Sequence, residues 1–169
     1  MVNTDRIADM WTDASDDYDR IVSRELHNPK DVDHWRHELA MRLGDEPRDV
    51  LDVGCGPGFF SIMLSRLGHR VTSLDASEGM LRAARRNLTW YGIEPHVQHS
   101  DVVTLDGVAD SSVDAVVSRD VVWTLHDPAA AYRRWFQVLR PGGLVLVYDG
   151  NYRTDRTGVR HSILSLIHI

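Results

Sequence analysis

The stretch from Asp49 to Asp75, DVLDVGCGPGFFSIMLSRLGHRVTSLD, constrains this chain more than any other. A short apolar run leads into glycines at positions 54, 56 and 58. A helical apolar period follows, ending near Gly68, and a second apolar run closes on Asp75. That order is one strand, turn, helix, strand unit of a parallel sheet. Glycine lets the backbone turn tightly and approach a ligand, and the following helix offers unpaired amides at its N-terminus. A nucleotide-like ligand is the first expectation.

The flanking sequence extends the same pattern. Between Thr4 and Glu25 the residues Ile7, Met10, Trp11, Ala14, Tyr18, Ile21 and Val22 recur at helical steps, predicting one or two helices with a break near Ser15 to Asp17. A further helix is predicted after Asn28-Pro29, stopping near Gly44 to Pro47. Strands are expected at Val50 to Val53, Val71 to Leu74, His96 to His99, Val113 to Val117 and Leu144 to Tyr148, with helices between them. Ser77 and Asp127-Pro128 read as helix starts, and LRPGG at Leu139 to Gly143 reads as the break before the fifth strand. The alternation predicts a doubly wound α/β fold. His161 to Ile169 reads equally as a sixth strand or a short helix. Residues 1–47 are expected to form a helical cap over the ligand site of a domain spanning 48–169, one structural domain overall.

Length and charge limit the function. A chain of 169 residues is large enough to bury a core and too small for two ordinary domains. The formal charge of -6 gives no general attraction to a phosphate backbone, so nucleic acid is not the expected partner. The single cysteine, Cys55, has no partner for an internal disulfide, which fits a reducing cytoplasmic setting. The nine histidines show no metal-ligand spacing, so no metal is expected. No run of 18 apolar residues is present, so no membrane span is expected either.

The details of the central stretch narrow the ligand. No lysine with serine or threonine follows Gly58, which leaves a phosphate-cradling loop unsupported. The glycine spacing is G-x-G-x-G, which weakens a dinucleotide. Asp52, just before the glycines, would repel a pyrophosphate and attract an ammonium or a sulfonium, favouring S-adenosylmethionine. Asp75, at the end of the second strand, is placed to accept both ribose hydroxyls, and Asp101 with the amide of Val102 to meet the adenine edge.

LDVGCGPG at Leu51 to Gly58, LD at Leu74-Asp75 and LRPGG at Leu139 to Gly143 together resemble the class I S-adenosylmethionine-dependent methyltransferases, in particular the small-molecule group. The resemblance covers most of the chain from Val50 to Tyr148. It implies a mostly parallel Rossmann-like sheet and S-adenosylmethionine as cofactor. By it, Asp52, Gly54, Cys55, Gly56 and Gly58 surround the methionine part, and Asp75 holds the ribose. Ala76 and Met80 lie near the adenine, Asp101 and Val102 read the base, and Tyr18 folds over the cofactor. Arg119 stands near both methionine and acceptor. It also implies a seven-stranded sheet. Only 20 residues follow Asp149, so part of the C-terminal strands is expected to be missing, with a truncated form, a compact variant or a homodimer covering an exposed edge as the alternatives.

The remaining candidates lie around the expected acceptor. His126 has the titration range of a general base and Arg119 is the second catalytic candidate. Trp11, Trp123, Asp149 and Tyr152 are substrate candidates, while Trp35, Trp90 and Trp135 are expected to pack on apolar helix faces. Three functions follow in order: methyl transfer to an unidentified small molecule, an inactive or truncated cofactor-binding interaction module, and a nicotinamide-dependent oxidoreductase.

Overall fold

Local chemistry sets the ends of most elements. The structure, a computed structural model, describes residues 4–150 and the course of the chain over 162–168. Three helices come first: α1 (Thr4–Asp13), α2 (Ser15–Leu26) and α3 (Pro29–Leu43). Asn28 caps α3 by accepting the Lys30 amide, with Pro29 at the first helical position, where a missing N–H costs nothing. Then come β1 (Asp49–Val53), α4 (Phe59–Arg66), β2 (Arg70–Asp75), α5 (Glu78–Trp90), β3 (Val97–His99) and β4 (Val113–Arg119). A 3-10 turn at Val122–Thr124 precedes α6 (Pro128–Val138), β5 (Leu139–Gly150) and β6 (Ser162–His168). Ser77 and Asp127 cap α5 and α6 through the Met80 and Ala130 amides, as the sequence predicts.

The strands form one sheet in the order β3-β2-β1-β4-β5-β6, parallel except for β6, which runs antiparallel to β5 from Leu144↔His168 to Gly150↔Ser162. His161 to Ile169 is thus resolved in favour of a strand over Ser162–His168. Alternation along the strands divides the core in two. Val50, Val71, Ala115, Val117, Leu144, Leu146 and Tyr148 join residues of α2 to α5 on one face. Leu51, Val53, Leu74, Val116, Val145 and Val147 meet Ala131, Trp135 and Val138 of α6 on the other. The order reverses between β1 and β4, the place where an open α/β sheet leaves a crevice beyond its strand ends.

Three expectations need correction. LRPGG does not precede the fifth strand but lies within β5: Val113 pairs with Leu139 and Ala115 with Leu144, so the segment loops out of the ladder and the pairing resumes. Arg140, at this bulge, donates to Asp49 at 2.9 Å and Asp114 at 2.8 Å, tying β1, β4 and β5 together at the end of the sheet opposite the crevice. No helix joins β3 to β4. Residues 100–112 are turns, fastened to α6 by Arg134 through the carbonyls of Thr104 and Val108. Finally, Trp90 is 82% exposed at the end of α5 rather than packed, because the buried stripe of that helix is completed by Leu81, Ala84 and Leu88. Trp135 is fully buried and Trp35 packs edge-on against Phe60 and Tyr148.

Candidate functional site

The carboxyl ends of β1, β2 and β4 meet at the glycine turn. The amides of Gly54 and Cys55 both donate to the Leu74 carbonyl, at 2.8 and 2.9 Å, so the turn folds back over β2. Gly54 has φ +71, and a Cβ there would collide with the side chain of Val121. Only glycine permits this approach of the turn to the loop after β4.

A cleft of about 740 Å³, counted with its open mouth, lies above this junction. Gly54, Gly56, Asp75, Ala76, Ser77 and Met80 form its floor, and Val102 and Val103 one end. Ile7, Ala8 and Trp11 of α1 and Tyr18 of α2 cover it, and Arg119 to Val121 with Thr124 to His126 close the far side. Tyr18 and Trp11 meet edge to face at 5.6 Å, so α1 and α2 present a joint aromatic wall. A smaller hollow shares Tyr18, Gly54, Gly56 and Arg119 with the cleft and adds Asp52, Cys55, Phe59 and Phe60.

Two carboxylates define the polar floor, Asp52 fully buried and Asp75 half-buried. Asp75 accepts the Gly56 amide on Oδ2 and the Ser77 amide on Oδ1, each at 2.9 Å, which fixes its orientation toward the cleft. Burial raises its pKa despite these bonds. Asp52 accepts a 2.6 Å bond from Ser61 Oγ, which is itself 2.7 Å from Ser73 Oγ. Burial drives Asp52 up to about 6, opposed by the Ser61 bond. A buried acid of this kind is stabilised in its charged form by an arriving cation.

The other expected residues fall in different places. Cys55 lines the hollow, its thiol pushed well up by burial and so unsuited to attack. Gly58 starts α4, where its Cα hydrogens face Ala84 of α5, and it lines neither cavity. Asp101 lies beside the cleft rather than in it: its Oδ1 accepts the amides of Val103 and Thr104 and shapes the loop that presents Val102 and Val103. Asp149 accepts the amides of Val121 and Trp123, holding the 3-10 turn at the rim. Trp123 is 47% exposed outside the cleft, its Nε1 donating to the Asp120 carbonyl, and His126 is an exposed rim residue. Tyr152 lies outside the described residues. Among the described residues no cluster of His, Cys, Asp or Glu is arranged to hold a metal, and no helix is long and apolar enough to cross a membrane.

Sequence reasoning missed Ser61 and Glu25, while Asp120 falls in the loop after the fourth strand that the sequence places toward the methyl group. Asp120 lines the cleft with φ +59, a left-handed conformation that is strained for a residue with a side chain and concentrates at functional sites. Glu25 binds Arg119 with both oxygens, at 3.0 and 2.7 Å. The available signal was its spacing, seven residues and two helical turns beyond Tyr18, which puts both on one face of α2.

Comparison with known proteins agrees with this geometry. A family model described as a methyltransferase domain matches residues 51–147. The chain is 30% identical over 156 residues to the ubiquinone biosynthesis O-methyltransferase of Dinoroseobacter shibae, covering 86% of this chain and 62% of that protein. It is 32% identical over 145 residues to the malonyl-[acyl-carrier protein] O-methyltransferase of Serratia marcescens, covering 86% and 52%. It therefore spans between half and two thirds of these relatives' lengths. Among solved structures, a Methanococcus maripaludis protein assigned to the S-adenosyl-L-methionine-dependent methyltransferases superposes with a TM-score of 0.73 at 25% identity, over 82% of this chain and 64% of that one. A SAM-dependent methyltransferase from Aquifex aeolicus shares the fold at a TM-score of 0.66 and 20% identity, over 83% and 77%.

Proposed function

Because the chain belongs to the methyltransferase domain family, we propose that its cleft binds S-adenosylmethionine and transfers the methyl group to a small molecule. The pair of carboxylates at the glycine turn carries this reading. Asp75, pinned by two amides, has an accepting lone pair left on each oxygen for the two hydroxyls of a ribose. Asp52 lies in the hollow, at the other end of the glycine turn, where a ligand's ammonium group would be attracted. Ala76, Met80, Val102 and Val103 offer the flat apolar surface an adenine needs, and Tyr18 with Trp11 covers it.

S-adenosylmethionine supplies an electrophilic methyl group on a sulfonium, so the acceptor needs alignment and exclusion of water rather than an enzyme nucleophile. The residues here suit that task. The helices of 1–47 form the cap, and Arg119, Asp120 and His126 surround the space left for the acceptor. His126 is the residue at the rim able to take a proton from it.

Titration calorimetry with S-adenosylhomocysteine and with NAD, followed by methyl transfer across a panel of acceptors, tests the proposal. Saturable binding of the former and transfer to at least one acceptor are expected. Binding of NAD alone would sink the proposal. Binding of S-adenosylhomocysteine without transfer to any acceptor would favour the interaction-module reading.

A further inference from the structure

Asp52 ends a short chain of buried hydroxyls. Ser61 Oγ of α4 stands 2.6 Å from Asp52 Oδ2 and 2.7 Å from Ser73 Oγ of β2, and all three residues are 2% exposed or less. An ionised carboxylate only accepts, so the Ser61 hydrogen goes to Asp52 and Ser61 Oγ is left to accept the hydrogen of Ser73. The chain then runs one way, from Ser73 through Ser61 to Asp52, and each hydroxyl hydrogen has an acceptor. Reversed, with Asp52 protonated and donating, the Ser73 hydrogen would find no acceptor among the described residues. With the proton on Oδ1 instead, Ser61 would donate to a neutral carboxyl, a bond roughly half as strong. Both protonated arrangements give up hydrogen bonding that the ionised one keeps.

Burial carries Asp52 up to about 6, and the Ser61 hydroxyl is the chief group opposing that rise. The other influences come from each neighbouring element. The Ser61 amide lies in the first turn of α4, where helical amides lack an intrahelical partner, and favours the charge. Asp75 of β2 opposes the charge, while Arg119 of β4, itself paired with Glu25 of α2, favours it. Tyr18 of α2 and Cys55 of the glycine turn share the hollow, and burial keeps both uncharged near neutral pH. Without the hydroxyl, burial would carry Asp52 toward neutrality, where a large share of it would be protonated and unable to attract a cation.

Resting on the methyl-transfer reading of this cleft, we infer that Ser61, with Ser73 behind it, is a positioning residue that keeps Asp52 ionised and holds its Oδ2, leaving Oδ1 for the cofactor's ammonium group. Neither serine lines the cleft or the hollow, so both act through Asp52.

The test has two readouts. The carboxyl-carbon NMR signal of Asp52, assigned by its loss in Asp52→Asn, gives the titration midpoint of the ligand-free protein. Calorimetry with S-adenosylhomocysteine near pH 6 and near pH 8 gives the consequence for binding. Ser61→Ala keeps the helix amide and removes the hydroxyl, so the midpoint should move up by about one pH unit. Affinity should then fall about fivefold below wild type near pH 6 and stay within about twofold of it near pH 8. Ser73→Ala, which leaves the bond between Ser61 and Asp52 in place, should move the midpoint the same way by less. An unmoved or lowered midpoint in Ser61→Ala would overturn the inference. So would an equal loss of affinity at both pH values, because a merely structural defect does not follow the ionisation of Asp52. If Ser61→Ala does not fold, Ser73→Ala decides, and an unmoved midpoint there would overturn the inference. Failure of wild type to bind S-adenosylhomocysteine would instead remove the methyltransferase reading, and the carbon titration alone would then decide whether the serines keep Asp52 charged.

Discussion

Asp52 gives the empty protein a pH dependence of known sign. Its folded pKa of about 6 exceeds the ordinary carboxylate value of 3.8, chiefly because burial disfavours the charge. Between those values the folded state holds the proton that the unfolded state has released, so Asp52's contribution to stability is full below about 4 and is lost as pH rises through about 6. Ligand binding runs the other way, since only the ionised carboxylate attracts an ammonium. With a pKa near 6 the ionised fraction grows roughly tenfold from pH 5 to pH 7. S-adenosylhomocysteine affinity measured by calorimetry should rise by about that factor in wild type and stay flat in Asp52→Asn, which at pH 7 should bind roughly tenfold more weakly. A slope that survives in the variant would assign the titration to another group.

Contact between helices carries the next prediction. Gly79 lies in the first turn of α5, where a Cβ would stand 2.8 Å from the Thr12 carbonyl oxygen and 2.7 Å from Ser15 Oγ. The bond between Thr12 Oγ1 and Ser77 Oγ at 2.9 Å joins the same surfaces. Alanine gains up to about 1 kcal/mol in helix propensity over glycine, but overpacking against a backbone oxygen costs about 1–3 kcal/mol. Gly79→Ala should therefore lose about 1 kcal/mol net in urea unfolding and weaken ligand binding, because α1 carries Trp11 of the cleft wall. A stabilised variant would mean that α1 and α2 shift away at no cost. On the opposite face, Trp135 Nε1 donates to the Val102 carbonyl at 2.8 Å, so α6 supports the loop at the adenine end of the cleft. Trp135→Phe strands that carbonyl and leaves a void, at a cost of about 2 kcal/mol. Its S-adenosylhomocysteine affinity should fall severalfold in calorimetry, whereas unchanged affinity would show that Asp101 and Arg134 hold the loop without it.

For the whole molecule, ligand binding should appear as global stability, because the cleft is assembled from the N-terminal helices, the ends of β1 and β2 and the loops after β3 and β4. A ligand at a hundredfold its Kd adds about 2.7 kcal/mol, which for a chain of this size raises Tm by roughly 5–10 °C. Thermal unfolding with S-adenosylhomocysteine should show this rise and NAD should not. The reverse pattern would contradict the proposed cofactor. Much of the architecture was legible beforehand because it rests on local rules. The glycine turn, the caps at Ser77 and Asp127, the apolar strands and the positions of Asp52 and Asp75 each follow from neighbouring residues, and period-two alternation divides the strand residues between two faces. The sequence by itself therefore determined the layered α/β fold and the cofactor class its central turn favours. Tertiary structure alone decided what depends on distant partners. It paired Glu25 with Arg119, 94 positions apart, and turned Asp101 and Asp149 to backbone amides. It also placed LRPGG within β5 and left Trp90 in solvent. Helical spacing and charge say which groups seek partners, but only the packed chain brings a particular partner within hydrogen-bonding reach.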